Sequence, residues 1–267
     1  MEFIDFLGFF LAILVGFTMG LFGGGGAILT VPIMVYLFKV APSLATAYSL
    51  FVVGIAALNG VISYTRQQLV SYKAALLFGI PSLLTVFIAR KFILPSLPKE
   101  LFAIGSFTLT KDVALMIFFS IVMLLASISM IRGRKVPPVT EDASTWNYPR
   151  IILQSSVVGL IIGIVGAGGG FLFVPSLMFF TKLPVKKAIG TSLLIITFNS
   201  LIGFIGDVME QDIQWDFLGL FAGLAIIGIY LGIYISQFVS PGKLKVSFGW
   251  FVLLMGVFIL VKESLFQ

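Results

Sequence analysis

GFTMGLFGGGGAILTVP, residues Gly16–Pro32, and GLIIGIVGAGGGFLFVP, residues Gly159–Pro175, are the two stretches on which the reading of this chain turns. A shift of 143 positions lays one on the other without a gap, pairing Gly16, Gly20, Gly23, Gly25, Gly26, Leu29, Val31 and Pro32 with identical residues. The register holds beyond them. Lys39 falls on Lys182, Ala45 on Ala188, Ser49 on Ser192, Leu50 on Leu193, Leu58 on Leu201, Gly60 on Gly203 and Ile62 on Ile205, giving 15 identities over the 49 positions 16–64. Self-similarity at a fixed offset marks a duplicated structural unit. The same shift pairs Val70 with Ile213 and Tyr72 with Trp215, which places an interface-type aromatic at the start of the third span of each half.

The solvent of these units follows from composition. The chain is 59% hydrophobic and 10% charged, with mean hydropathy +1.14, where a soluble domain carries about 25% charged residues. Apolar runs close to the ~20 residues that cross a bilayer recur throughout. They are Phe3 to Phe38, broken at Gly23–Gly26, then Ser43 to Tyr64, Val70 to Arg90 and Asp112 to Ile131. After a polar stretch with Arg132, Arg134, Lys135, Pro137, Pro138 and Pro149, the pattern returns as a broken Ile151 to Thr181, then Lys186 to Gly206, Asp216 to Ser236 and Lys245 to Val261. The expected organisation is a single transmembrane domain over 1–267: repeat one 1–131, a cytoplasmic linker 132–150 and repeat two 151–267. The first 22 residues lack a basic n-region and carry Glu2 and Asp5, so they read as mature structure and not as a leader.

Composition also excludes several chemistries. Without Cys or His there is no thiolate, disulfide, imidazole metal site or imidazole proton relay. No serine stands beside a plausible base, no carboxylate pair lies in a span, and GGGG lacks the Lys and Ser/Thr of a phosphate-binding loop, so neither an enzyme nor a cofactor is expected. The net charge of +6 is scattered through short gaps between apolar runs, which suits topology and anionic lipid and not nucleic acid. The expected partners are a small anion and membrane lipid, with a homo-oligomer left open.

Each glycine costs about 1 kcal/mol against Ala inside a helix, so a run of three or four opens the backbone. Open backbone is not tolerated against lipid and must be buried or line a polar cavity. The stretches after the breaks, Ala27 to Phe38 and Phe171 to Thr181, reach only about 18 Å, half a membrane. The expected form is a re-entrant hairpin with a half-helix N-terminus at the glycine turn, where unpaired N–H groups favour an anion. The candidate site therefore comprises Gly23, Gly24, Gly25 and Gly26 with Gly166, Gly168, Gly169 and Gly170, joined by Ser49, Asn59, Thr191, Ser192 and Asn199 from the next helix of each half. In this reading the anion is satisfied by amides and hydroxyls without a buried Arg, and a side chain at Gly25 or Gly168 blocks its approach. The alternative is that the glycines serve close helix packing and the asparagines bond between helices. Loop charge enters here: with the N-terminus outside and re-entrant hairpins, 11 of the 17 basic residues fall inside, against 10 for the best four-crossing arrangement.

The paired segments GLFGGGGAILTVP and GIVGAGGGFLFVP, each followed by an alcohol-rich span start (TAYSL, Thr46–Leu50, and GTSLL, Gly190–Leu194), resemble the TauE/SafE family of sulfite and organosulfonate exporters. The resemblance covers essentially the whole chain; repeat one departs from it at Ala41-Pro42, where repeat two has Leu183-Pro184. It implies an inner-membrane carrier of sulfite, sulfonates or related oxyanions. The residues themselves leave three readings: a secondary transporter, an anion channel, or a membrane scaffold without transport. The expected fold class is an all-α polytopic membrane protein of two repeats in inverted orientation, each with a glycine-broken re-entrant hairpin plus three transmembrane helices.

Overall fold

A backbone surrounded by lipid must pair its polar groups within the segment, and uninterrupted apolar runs therefore fold as helices. The computed structural model describes residues 3–93, 96–98, 100–104, 107–132, 147–165, 167–208 and 213–265. Repeat one forms α1 (Phe3–Phe22), a 3-10 turn (Gly24–Gly26), α2 (Ala27–Tyr36), α3 (Pro42–Arg66), α4 (Tyr72–Ile88) running into a π-helical turn (Ala89–Ile93), and α5 (Lys111–Ile131). Repeat two forms α6 (Tyr148–Val165), a 3-10 turn (Ala167–Leu172), α7 (Phe173–Phe180), α8 (Val185–Val208), α9 (Trp215–Phe238) and α10 (Pro241–Leu265). The all-α expectation needs one amendment. Between α4 and α5 an antiparallel ribbon pairs β1 (Glu100–Ile104) with β2 (Phe107–Thr110), an insertion that repeat two lacks, since α9 and α10 follow each other almost directly. Residues 133–146 of the expected linker lie outside the described residues, and its end is already helical: α6 starts at Tyr148, with Asn147 Oδ1 accepting the Arg150 N–H (3.3 Å).

Among the described residues, five helices are long and apolar enough to cross a membrane: Leu44–Arg66, Tyr72–Ile93, Val185–Ile205, Trp215–Phe238 and Pro241–Lys262. α1 and α6 contribute shorter apolar stretches, Leu7–Phe22 and Tyr148–Ile164. The half-helices α2 and α7 have 10 and 8 residues, about 15 and 12 Å, and are shorter than the sequence suggested.

Helices in lipid gain nothing from hydrophobic association and hold together where small residues let backbones touch. A β-carbon added at Gly16 would overlap Ala225 O, one at Gly20 Ile229 O, one at Gly228 Ile13 O and one at Gly232 Phe17 O. Numbers rise together on both sides of this seam, so α1 and α9 are parallel and in backbone contact. The counterpart seam repeats it: Gly159 lies on Ser82 and Thr85, and Gly163 on Val86 and Ala89, making α6 parallel to α4. Each repeat thus sets its first helix against the third helix of the other. α3 also runs with α9, Gly60 meeting Ile229 and the Tyr64 hydroxyl lying 3.4 Å from Ser236 Oγ. Between the counterparts α3 and α8 the order reverses. Leu50 meets Gly203, Phe51 and Phe204 pack at 5.0 Å, Gly54 meets Leu201, and Tyr64 meets Gly190, an antiparallel central pair. α5 and α10 are antiparallel as well, through Gly249 with Met130 and Gly256 with Met123.

Two details carry the duplication down to single atoms. Lys39 and Lys182, counterparts in the loops after the half-helices, both take left-handed φ, 54° and 53°. The Gln214 N–H donates to Tyr48 OH (2.8 Å), and the Ser71 N–H donates to Thr191 Oγ1 (2.9 Å). Positions 48 and 191, like 71 and 214, are counterparts, so a hydroxyl on the second helix of each repeat tethers the start of the third helix of the other. Thr191→Val is expected to leave the Ser71 amide unpaired and to lower stability by about 1–2 kcal/mol, read as a fall in Tm of the detergent-solubilised protein. A change in substrate KM without a change in Tm would return Thr191 to the ligand.

Candidate functional site

The first break begins at Gly23, whose φ of 74° and ψ of −123° lie where only glycine rests without strain. Its N–H is donated to Met19 O (2.8 Å) and closes α1, which corrects the expectation that this amide faces an anion: it is already used. The chain then folds back. A β-carbon on Gly26 would overlap Val15 O and crowd Thr18 Oγ1, although Val15 lies eleven positions earlier and about 16 Å away in a continuous helix.

The two breaks meet. A β-carbon on Gly24 would overlap the carbonyl of Gly170 and reach 2.7 Å from Ile196 Cδ1, at the middle of α8. Gly23 lies beside Ser192 Oγ (2.6 Å) and Val174 Cγ2 (2.9 Å) on the same reckoning. Gly25 faces elsewhere, against Phe248, whose ring stacks on Phe22 at 5.2 Å. A side chain at Gly25 therefore meets an aromatic ring and not a ligand, and the position at which it would separate the breaks is Gly24. In repeat two, Gly168, Gly169 and Gly170 lie in the 3-10 turn, whereas Gly166 is outside the described residues.

Beside Gly170 is a cavity of about 30 Å³, room for a water or two, bounded by Arg90, Asn199, Ser200, Gly203 and the side chains of Leu50 and Ile196. Asn199 is 9% exposed, and its Nδ2 has no hydrogen-bond partner among the described residues. Arg90 enters from the π-helical turn that ends α4, a wide turn of the kind that recurs at functional positions. Its Nη1 lies 3.8 Å from where a β-carbon on Gly203 would stand, so the guanidinium reaches α8. This half-buried cation is not among the residues expected from sequence. Sequence reasoning took Arg90 as the end of a span. The signal available was VFIARKFILP, Val86–Pro95, in which the apolar run resumes beyond the two basic residues.

The other expected residues separate. Ser192 lies by Gly23 and donates to Ile189 O (2.8 Å). Ser49 is fully buried with Oγ unpartnered among the described residues, but it does not line the cavity. Thr191 carries the helix-start tether. Asn59 donates to Ile55 O (2.9 Å) and accepts from Tyr230 OH (3.4 Å) on the seam of α3 with α9, away from the cavity. Gly23, Gly24, Gly170, Ser192 and Asn199 are brought together; Asn59, Gly25 and Thr191 are not.

A duplicated helical domain with, among the described residues, five helices long and apolar enough to cross a membrane and two broken segments that meet belongs with the multi-pass membrane transporters. Residues 8–259 match the sulfite exporter TauE/SafE family, and the chain belongs to it. It is 30% identical over 254 residues to a probable membrane transporter protein of Xylella fastidiosa (strain Temecula1), covering 92% of this chain and 91% of that one. It is 28% identical to the probable membrane transporter protein YunE of Bacillus subtilis, over 83% of each chain. A probable membrane transporter protein of Methanocaldococcus jannaschii, MJ0441, is 27% identical over 94% of this chain and 95% of its own. No solved structure matches.

Proposed function

We propose that this protein is a secondary transporter that moves a small anion, sulfite or an organosulfonate, outward across the cell inner membrane, binding it between the two repeats. The observation that carries the reading is the contact of Gly24 with Gly170 beside a cavity that Arg90, Asn199 and Ser200 help to line: two duplicated interruptions of helical backbone converge there. The antiparallel pairing of the counterparts α3 and α8 supports an inverted repeat, because a two-fold axis that reverses a membrane-crossing helix lies in the membrane plane. α1 and α3 both run with α9 although only α2 separates them, which supports a re-entrant hairpin at the first break. The basic linker 132–150 then lies in the cytoplasm.

An exported anion needs no coupling ion when the interior is negative, since each charge gains about 2.3 kcal/mol per 100 mV. The test is flux in proteoliposomes loaded with sulfite, thiosulfate, sulfoacetate, taurine, sulfate or acetate. Saturable, counterflow-competent exit of at least one sulfur oxyanion is expected, accelerated by an inside-negative potential. Flux that never saturates would make the protein a channel, and no flux across the panel would end the proposal.

A further inference from the structure

We infer that the anion's charged headgroup is held by Arg90 and Asn199 in a single pocket to one side of the internal two-fold axis, and not in a symmetric seat between the glycine turns. This rests on the reading of the protein as an anion carrier and assigns the ligand groups within it.

Three observations carry the inference. First, Arg90, Asn199 and Ser200 all line the cavity beside Gly170, and Arg90 is the one ionising residue among its lining residues. Arg and the Asn amide nitrogen can only donate, so an oxygen-bearing anion suits them and a cation does not. Second, Asn199 Nδ2 is buried and has no hydrogen-bond partner among the described residues. A buried amide left unpaired costs about 1–3 kcal/mol, a penalty removed when a ligand oxygen accepts from it.

Third, the pocket exists only once among the described residues. The 143-residue shift turns Arg90 into Ile233, Asn199 into Ala56, Ser200 into Ala57, Gly170 into Ala27 and Val86 into Ile229. All five of these counterparts are buried in the apolar core. Ile229 Cδ1 lies 2.7 Å from where a β-carbon on Gly60 would stand, so the counterpart of the cavity is packed with side chain. The duplicated frame is symmetric while its polar groups are not. The rest of the lining is apolar, Leu50, Val53, Val86, Ile162, Phe173 and Ile196, and a doubly charged ion gives up more hydration on entering it than a singly charged one. The ligand class is therefore a monovalent oxyanion headgroup, sulfonate or carboxylate. At about 30 Å³ the pocket admits the leading oxygens of the headgroup and not the body of an organic anion.

The experiment measures saturable flux of whichever anion the wild-type protein carries, with methanesulfonate, acetate and sulfate as competitors. Arg90→Gln is expected to raise KM about tenfold or more, because hydrogen bonds to a charged group are worth about 1.5–3 kcal/mol. Arg90→Lys restores part of the affinity, keeping the charge without the fork. Asn199→Asp, of nearly the same shape, abolishes binding by setting a carboxylate against the anion, and it serves if Arg90→Gln fails to fold. Ile233→Met, at the counterpart of Arg90, leaves KM unchanged. In the wild type, methanesulfonate or acetate competes more strongly than sulfate, and Arg90→Gln erases that competition. An unchanged KM in folded Arg90→Gln or Asn199→Asp, or sulfate as the strongest competitor, overturns the assignment while transport itself stands. If the wild type carries no anion, the transporter reading fails first.

Discussion

Gly24→Val is expected to insert into the membrane and to lose transport by about 100-fold or more. The β-carbon alone would overlap the Gly170 carbonyl, and neither partner of that contact is a side chain that can rotate away. Overpacking of this kind costs about 1–3 kcal/mol, less than the ~5–15 kcal/mol that holds a folded protein together, so the protein survives. What does not survive is the contact between the breaks. Separating two backbone turns by an ångström or so deforms the cavity wall at Gly170, and misplacements of that size in a functional site cost about 100-fold. Gly25→Val is the matched control. Its side chain meets Phe248 Cε2, the far end of a ring, so it lowers Tm while flux is largely kept. Equal flux in the two variants would mean that the meeting of the breaks is irrelevant to transport.

Gly232→Leu is expected to have the largest effect on stability, about 3 kcal/mol or more, read as a collapse of Tm or as aggregation on solubilisation. A β-carbon there would overlap Phe17 O and stand 3.0 Å from Gly20 Cα, in the middle of the parallel seam of α1 with α9. The seam has no hydrophobic drive to reform at a greater distance, because lipid satisfies apolar side chains as well as another helix does. Gly219→Leu and Gly223→Leu on the same helix provide the contrast, since a β-carbon at either meets nothing within 4 Å. Near-wild-type Tm is expected for both. A similar loss at Gly219 would mean that helix propensity, and not the seam, sets the cost.

The contrast between these glycines locates the boundary of what sequence can convey. Gly16, Gly20, Gly159 and Gly163 are visible as spaced small residues in counterpart positions. That the first pair seats α9 and the second α4, each from the other repeat, is not visible, because a stripe of small residues specifies closeness without specifying a partner. The asparagines make the same point. Asn59 and Asn199 look alike on their helices, yet one is satisfied by Ile55 O and Tyr230 and the other stands unpartnered at the cavity. Thr191 looked like a ligand group because its helix carries hydroxyls at regular spacing. Its Oγ1 accepts the Ser71 N–H, as Tyr48 OH accepts that of Gln214, a pairing between distant segments that local pattern does not record.

Sequence by itself determined the solvent, the duplication and the two places where helix gives way, since these follow from hydropathy, self-similarity and the backbone cost of consecutive glycines, all properties of neighbouring residues. Tertiary structure decided that Gly24 and not Gly25 meets the opposite break, that Arg90 at the end of α4 lines a cavity, and that the counterpart of that cavity is filled by apolar side chains. These depend on which surfaces of helices far apart in the chain are pressed together, and on the π-helical turn that brings the guanidinium to α8.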